Sequence, residues 1–119
     1  MYYKFEKLEI WKLARSFVSE IYSLTRKFPK EEMFGLISQI RRASVSIALN
    51  IAEGCNRSQI EFCRFLRMAL TSLEEVVTGL YIALDQKFIN REEFEKLYEE
   101  TNKIAAKINS LINHINGKR

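Results

Sequence analysis

The chain has 119 residues, 47% hydrophobic and 29% charged, with one proline and four glycines. A chain of this length buries roughly two thirds of the surface it exposes when unfolded, enough for one core, and so little turn punctuation argues against many short strands. The longest uncharged run, residues 43–52, is ten residues, about half of what a membrane-spanning helix needs.

The first helix is predicted over residues 6–27, because Ile10, Ala14, Phe17, Ile21, Leu24 and Phe28 recur at spacings of four and three, the seam of a bundle helix. Trp11, Val18 and Tyr22 widen the seam, while Lys12, Arg15, Ser19 and Arg26 form a basic, wet face. Phe28-Pro29 ends it, since the residue before proline is pushed out of the α region.

A second helix is predicted over residues 30–53, with Glu31 and Glu32 in its first turn, where the helix dipole favours negative charge. Its core stripe reads Met33, Ile37, Ile40, Ser44, Ile47 and Ile51, and Gly54 is expected as a left-handed stop. The third helix opens on Ser58 with Glu61 three residues on, a capping box, and packs through Phe62, Leu66, Ala69, Leu73, Val76, Leu80 and Ala83. The fourth opens in the same way on Asn90 and Glu93, packs through Phe94, Leu97, Ile104, Ile108, Leu111 and Ile115, and stops at Gly117. Short connections make successive helices antiparallel neighbours. The expected fold is all-α, one antiparallel up-down-up-down four-helix bundle over residues 1–119.

Helix 2 differs from the others. With Ile47 set at zero, Met33, Ile40 and Ile51 fall within about 40° of it, whereas Val45, Ala48, Leu49 and Ala52 fall at roughly 100–200°. A bundle buries one stripe per helix, so the second apolar face predicts a homo-oligomer whose subunit contact includes Arg41, Val45, Ala48, Leu49, Asn50 and Ala52. Coverage by helix 1 and the N-terminal aromatic residues is the competing reading. Asn50, near Gln39 and Ser46, is expected to satisfy a neighbouring group and set register.

Chemistry-bearing constellations are missing. The single histidine, His114, lies near the end of helix 4, and no second histidine or cysteine pair completes a zinc site. Cys55 and Cys63 stand eight positions apart, outside any CxxC pair, and read as free cytoplasmic thiols. The pairs Glu31/Glu32, Glu74/Glu75, Glu92/Glu93 and Glu99/Glu100 are adjacent on helices, and adjacent side chains diverge by about 100°. Nucleotide-binding glycine fingerprints are absent. The expectation is no enzyme, catalytic residue, metal, cofactor, small-molecule substrate or membrane partner.

What remains is basic. Residues 1–70 carry twelve Lys/Arg against seven Asp/Glu, and residues 71–119 seven against eight. Lys12, Arg15, Arg41, Arg42, Arg57, Arg64 and Arg67 form the candidate nucleic-acid set, because arginine's planar fork suits phosphate and stacked bases. The same fork suits ion pairs between subunits, so a purely structural protein–protein module remains the alternative, above all for Arg41 and Arg42.

The motif residues Phe5, Leu8, Ile10-Trp11 and Ala14, then Ile21-Tyr22, Leu24-Thr25, Phe28-Pro29, Glu32, Phe34-Gly35-Leu36, Gln39-Ile40-Arg41-Arg42-Ala43 and Ser46-Ile47, and finally Asn50-Ile51-Ala52-Glu53-Gly54 with Arg57-Ser58, closely resemble the bacterial four-helix-bundle proteins encoded in intervening sequences of 23S ribosomal RNA genes, once called the S23 ribosomal protein family. The resemblance implies a homopentameric ring with a central channel. It also implies kinship with the accessory variability determinant of diversity-generating retroelements, a basic pentamer that binds RNA or DNA and a reverse transcriptase. No enzymatic activity goes with the family. Ala48 and Leu49 stand where the family often has proline and serine, and Thr71-Ser72 where it often has Gly-Ser. The missing proline should leave helix 2 straighter.

Overall fold

In the computed structural model, residues 2–117 are described. Four α-helices carry the fold: α1 Glu9–Thr25, α2 Leu36–Cys55, α3 Gln59–Asp85 and α4 Arg91–Gly117. Short 3-10 turns at Lys4–Lys7 and Lys30–Glu32 lead into α1 and α2. No strand occurs among the described residues. Each helix packs against its sequence neighbours, and α4 closes the square against α1.

The seam residues Ile10, Ala14, Phe17, Ile21, Leu24 and Phe28 are all buried. They meet Ile37, Ile40, Ala43, Ile47 and Ile51 of α2, the α3 seam from Leu66 to Ala83, and Phe94, Leu97, Ile104, Ile108, Ile112 and Ile115 of α4 in one core. Phe62 and Leu111 are only half-buried, and Ile112 takes the central place expected of Leu111.

The helix starts follow local chemistry. Ser58 Oγ accepts from the Glu61 N–H at 3.2 Å. At α4 the exchange is reciprocal: the Glu93 N–H donates to Asn90 Oδ1 at 2.8 Å, and the Asn90 N–H to Glu93 Oε1 at 3.0 Å. Two orphan donors are thereby satisfied. Glu93 also pairs with Lys27, and these contacts hold its carboxyl below the ordinary value of 4.5. A folded-state pKa depressed below the unfolded one adds stability above the unfolded value, lost as pH falls through the depressed one. Glu93→Gln should therefore leave the acid limb of the stability profile shallower below pH 4.5, as urea midpoints taken against pH would record.

Two expectations for α2 are corrected. The helix starts at Leu36 rather than Lys30, because Gly35 lies at φ −112°, ψ −111°, off the helical region, and the Leu36 N–H is capped by Glu32 Oε1 at 3.2 Å. Met33 consequently leaves the core stripe and is 45% exposed. Gly54 is no left-handed stop: it is buried inside α2, and no glycine among the described residues has positive φ. A Cβ there would lie 2.6 Å from Phe65 Cβ, so its missing side chain is what lets α2 and α3 meet. Gly79 plays the same part on α3, where a Cβ would lie 2.5 Å from Ile40 Cγ1.

No helix among the described residues is long and apolar enough to cross a membrane.

Candidate nucleic-acid interface

The contacts between helices fix which cations share an end of the bundle. Gly54 abuts Phe62 and Phe65, Cys63 Sγ lies 3.7 Å from Asn116 Oδ1, and Lys107 pairs with Glu9 at 3.1 Å. One end therefore gathers the start of α1, the end of α2, the start of α3 and the end of α4. Lys12, Arg15, Arg57, Arg64 and Arg67 all belong to this end. Arg41 and Arg42 belong to the opposite half, near the start of α2.

The seven candidate cations differ in how far they are already engaged. Arg41 is tied inside its own chain: Nε donates to Thr25 Oγ1 at 2.8 Å, and the guanidinium lies 4.4 Å from the Tyr22 ring centroid. Thr25 is fully buried and donates its own proton to the Ile21 carbonyl at 2.7 Å. Thr25→Val would leave a half-buried guanidinium N–H without its acceptor, which costs about 1–3 kcal/mol. Chemical denaturation should show that loss, and in the Arg41→Met background the same change should cost far less.

Arg57 pairs with Glu53 at 3.1 Å and faces Glu61 at 4.0 Å, with its guanidinium 5.5 Å from the Phe65 ring centroid. Arg15 lies 5.7 Å from the Trp11 ring centroid. Lys12, Arg64, Arg67 and Arg42 are exposed and form no ion pair among the described residues. Exposed pairs such as Arg57–Glu53 are worth little, so all but Arg41 can turn to an incoming phosphate.

The face assigned to subunit contact is partly covered by the chain itself. Val45, Ala48, Asn50 and Ala52 are half-buried, and Leu49 is 63% exposed. Asn50 Nδ2 donates to the Ser46 carbonyl at 2.9 Å and to Ser46 Oγ at 3.0 Å, and Ser72 of α3 donates to the same Oγ at 2.9 Å. The apolar surface also reaches further than helical phase suggests: Phe34 is 97% exposed, and it lines a groove of about 640 Å3 with Met33, Tyr22, Arg42, Val45 and Leu49. The signal missed was Gly35, which frees the preceding turn from the helix and turns Phe34 outward.

Burial raises the Cys55 thiol above its ordinary value, and both cysteines are buried and free. Among the described residues no group of three or more His, Cys, Asp or Glu could hold a metal.

Fold and surfaces define an all-helical scaffold of four packed helices in which five of the seven candidate cations, Lys12, Arg15, Arg57, Arg64 and Arg67, share one end. The sequence model of the family described as 23S rRNA-intervening sequence protein matches residues 6–110, and the chain belongs to that family. Among solved structures, a protein of unknown function from the S23 ribosomal protein family of Bacteroides thetaiotaomicron VPI-5482 is similar, at a TM-score of 0.79 and 25% identity, over 87% of this chain and 97% of that one. No curated protein matches the chain significantly.

Proposed function

We propose that the chain is a non-catalytic, cytoplasmic subunit of a homopentameric ring of antiparallel four-helix bundles, that the ring binds structured RNA, and that it serves as an accessory to a reverse transcriptase. Antiparallel order is supported by two pairs: Lys27, just past the end of α1, with Glu93 in the first turn of α4, and Glu9, at the start of α1, with Lys107 in the second half of α4. Assembly is supported by the uncovered apolar face around Phe34 and Leu49. The observation that carries the RNA reading is the gathering of Lys12, Arg15, Arg57, Arg64 and Arg67 at one end, which ring symmetry would repeat in every subunit.

Repetition decides whether the charge matters. A net charge of +4 per chain is weak, but five copies sum to about +20, enough for binding driven by counterion release. Filter binding to a structured RNA should give affinity that falls linearly with salt on logarithmic axes. Absent binding at low salt, or affinity indifferent to salt, overturns the RNA reading.

A second reading, a structural module whose arginines serve subunit ion pairs, is favoured by one observation: Arg42 lines the apolar groove beside Leu49 without an ion-pair partner among the described residues. Arg42→Ala separates the two, since loss of assembly in sedimentation supports the second and lost RNA binding by an intact assembly supports the first.

A further inference from the structure

The basic end of the bundle also carries the N-terminal segment, and there cations alternate with rings: Tyr2, Tyr3, Lys4, Phe5, Glu6, Lys7. The rings form a continuous ladder. Trp11 is half-buried on α1, Phe5 meets it edge-on at 4.9 Å, Tyr3 stacks on Phe5 at 5.7 Å with 17° between planes, and Tyr2 meets Tyr3 at 4.9 Å. The inner rungs anchor the outer ones. Tyr2 is 89% exposed and Tyr3 56% exposed.

The Tyr3 rung is held by Glu6. The Tyr3 N–H donates to Glu6 Oε1 at 2.7 Å and the Glu6 N–H returns to the Tyr3 carbonyl at 3.1 Å, closing the Lys4–Lys7 turn. That contact occupies one of the two acids nearest the rings in sequence, and Lys107 occupies the other, Glu9. Lys4, Lys7 and Lys12 stay exposed, with no ion pair among the described residues. Packing alone does not account for large aromatic side chains left so open to water on a pinned turn, because exposed apolar surface of this kind is unfavourable unless something covers it.

We propose that Tyr2 and Tyr3, flanked by Lys4, Lys7 and Lys12, are a stacking platform for unpaired bases of a single-stranded nucleic-acid segment, with the lysines on its phosphates. The proposal rests on the nucleic-acid reading above and names the part of the nucleic acid recognised: bases in loops, bulges or ends, whose faces are free to stack. Ring faces give affinity without reading sequence, and the flanking cations follow the backbone. A rigid platform loses less freedom on binding than a loose tail would.

The experiment compares the full chain with Tyr2→Ala/Tyr3→Ala and Tyr2→Phe/Tyr3→Phe, using a labelled oligouridylate of about 12 nucleotides, long enough for one binding groove, and a blunt RNA duplex of equal charge. Alanine should weaken oligouridylate binding about ten- to a hundredfold with the salt slope unchanged, because stacking releases no counterions. Phenylalanine should retain it, and duplex binding should not respond to either variant. Unchanged oligouridylate binding in the alanine variant, or equal loss on both nucleic acids, overturns the platform while leaving the nucleic-acid reading intact. Wild-type protein that binds neither probe at low salt overturns both.

Discussion

Gly54→Ala should lower the stability of the bundle by about 1–2 kcal/mol net, because overpacking in the upper part of its usual range outweighs alanine's better helix propensity. In an exposed helix the change would add roughly 1 kcal/mol. Here the new methyl would sit 2.6 Å from Phe65 Cβ and 3.0 Å from Phe62 Cδ1. Phe65 Cβ is bonded directly to the α3 backbone, so rotating the ring does not clear it. The helices must separate near Gly54, and overpacking of this kind typically costs 1–3 kcal/mol. Thermal melts should show the midpoint falling by several degrees, because each kcal/mol moves a domain of this size by about 3–6 °C. Gly117→Ala supplies the internal control, since a Cβ there meets nothing within 4 Å. A Gly54→Ala protein that melts at or above the wild-type temperature would show that the α2–α3 seam relaxes freely, and would remove the account of this glycine.

That glycine also marks where sequence reasoning loses sight of the fold. A glycine after a run of helical period has two physical uses, a left-handed stop or a place for another helix to touch. The residues that decide between them, Phe62 and Phe65, lie in the next helix. The left-handed stop in this fold is carried instead by Lys87, at φ 66°, after which the Phe88 N–H reaches back to the Ala83 carbonyl at 2.9 Å. Non-glycine residues rarely adopt that conformation, so composition points away from it.

Where one face of one helix decides burial, period suffices. Every residue of the α1 seam is buried, and so are Leu66, Ala69, Leu73, Val76, Leu80 and Ala83 of α3. Phase fails where the backbone leaves the helix while the spacing continues. Met33 is in register with Ile40 and Ile47, yet Gly35 interrupts the helix between them. Candidate site residues were legible as types and not as states. Arginines off the core stripe could be named from spacing, but only tertiary contacts separate Arg41, spent on Thr25 and Tyr22, from Arg64 and Arg67, which stay in water. The ladder from Trp11 to Tyr2 is not legible from spacing, because its members belong partly to an irregular segment where no period orders the rings.

Reversing charge at the open pair should have the largest effect on binding. If the ring binds RNA as proposed, Arg64→Glu/Arg67→Glu should reduce RNA affinity at low salt by at least about a hundredfold, because the variant would lose two phosphate contacts per subunit and add two repulsive charges at each repeat. The two side chains are one turn apart on α3 and project together, so one backbone segment can meet both. Neither makes an ion pair among the described residues, and the melting temperature should accordingly stay within about 6 °C of wild type, since two exposed substitutions of about ±0.5 kcal/mol each sum to about 1 kcal/mol at most. The salt slope should also become shallower by about 1 for each phosphate contact removed, with equal loss on RNAs of different sequence. Arg57→Ala gives the contrast, because Arg57 is shared with Glu53 and Glu61 and its removal frees two carboxylates as well as removing a cation. If the doubly reversed protein stays folded and binds RNA with wild-type affinity and slope, the phosphate path does not cross the start of α3, and this part of the interface is wrong.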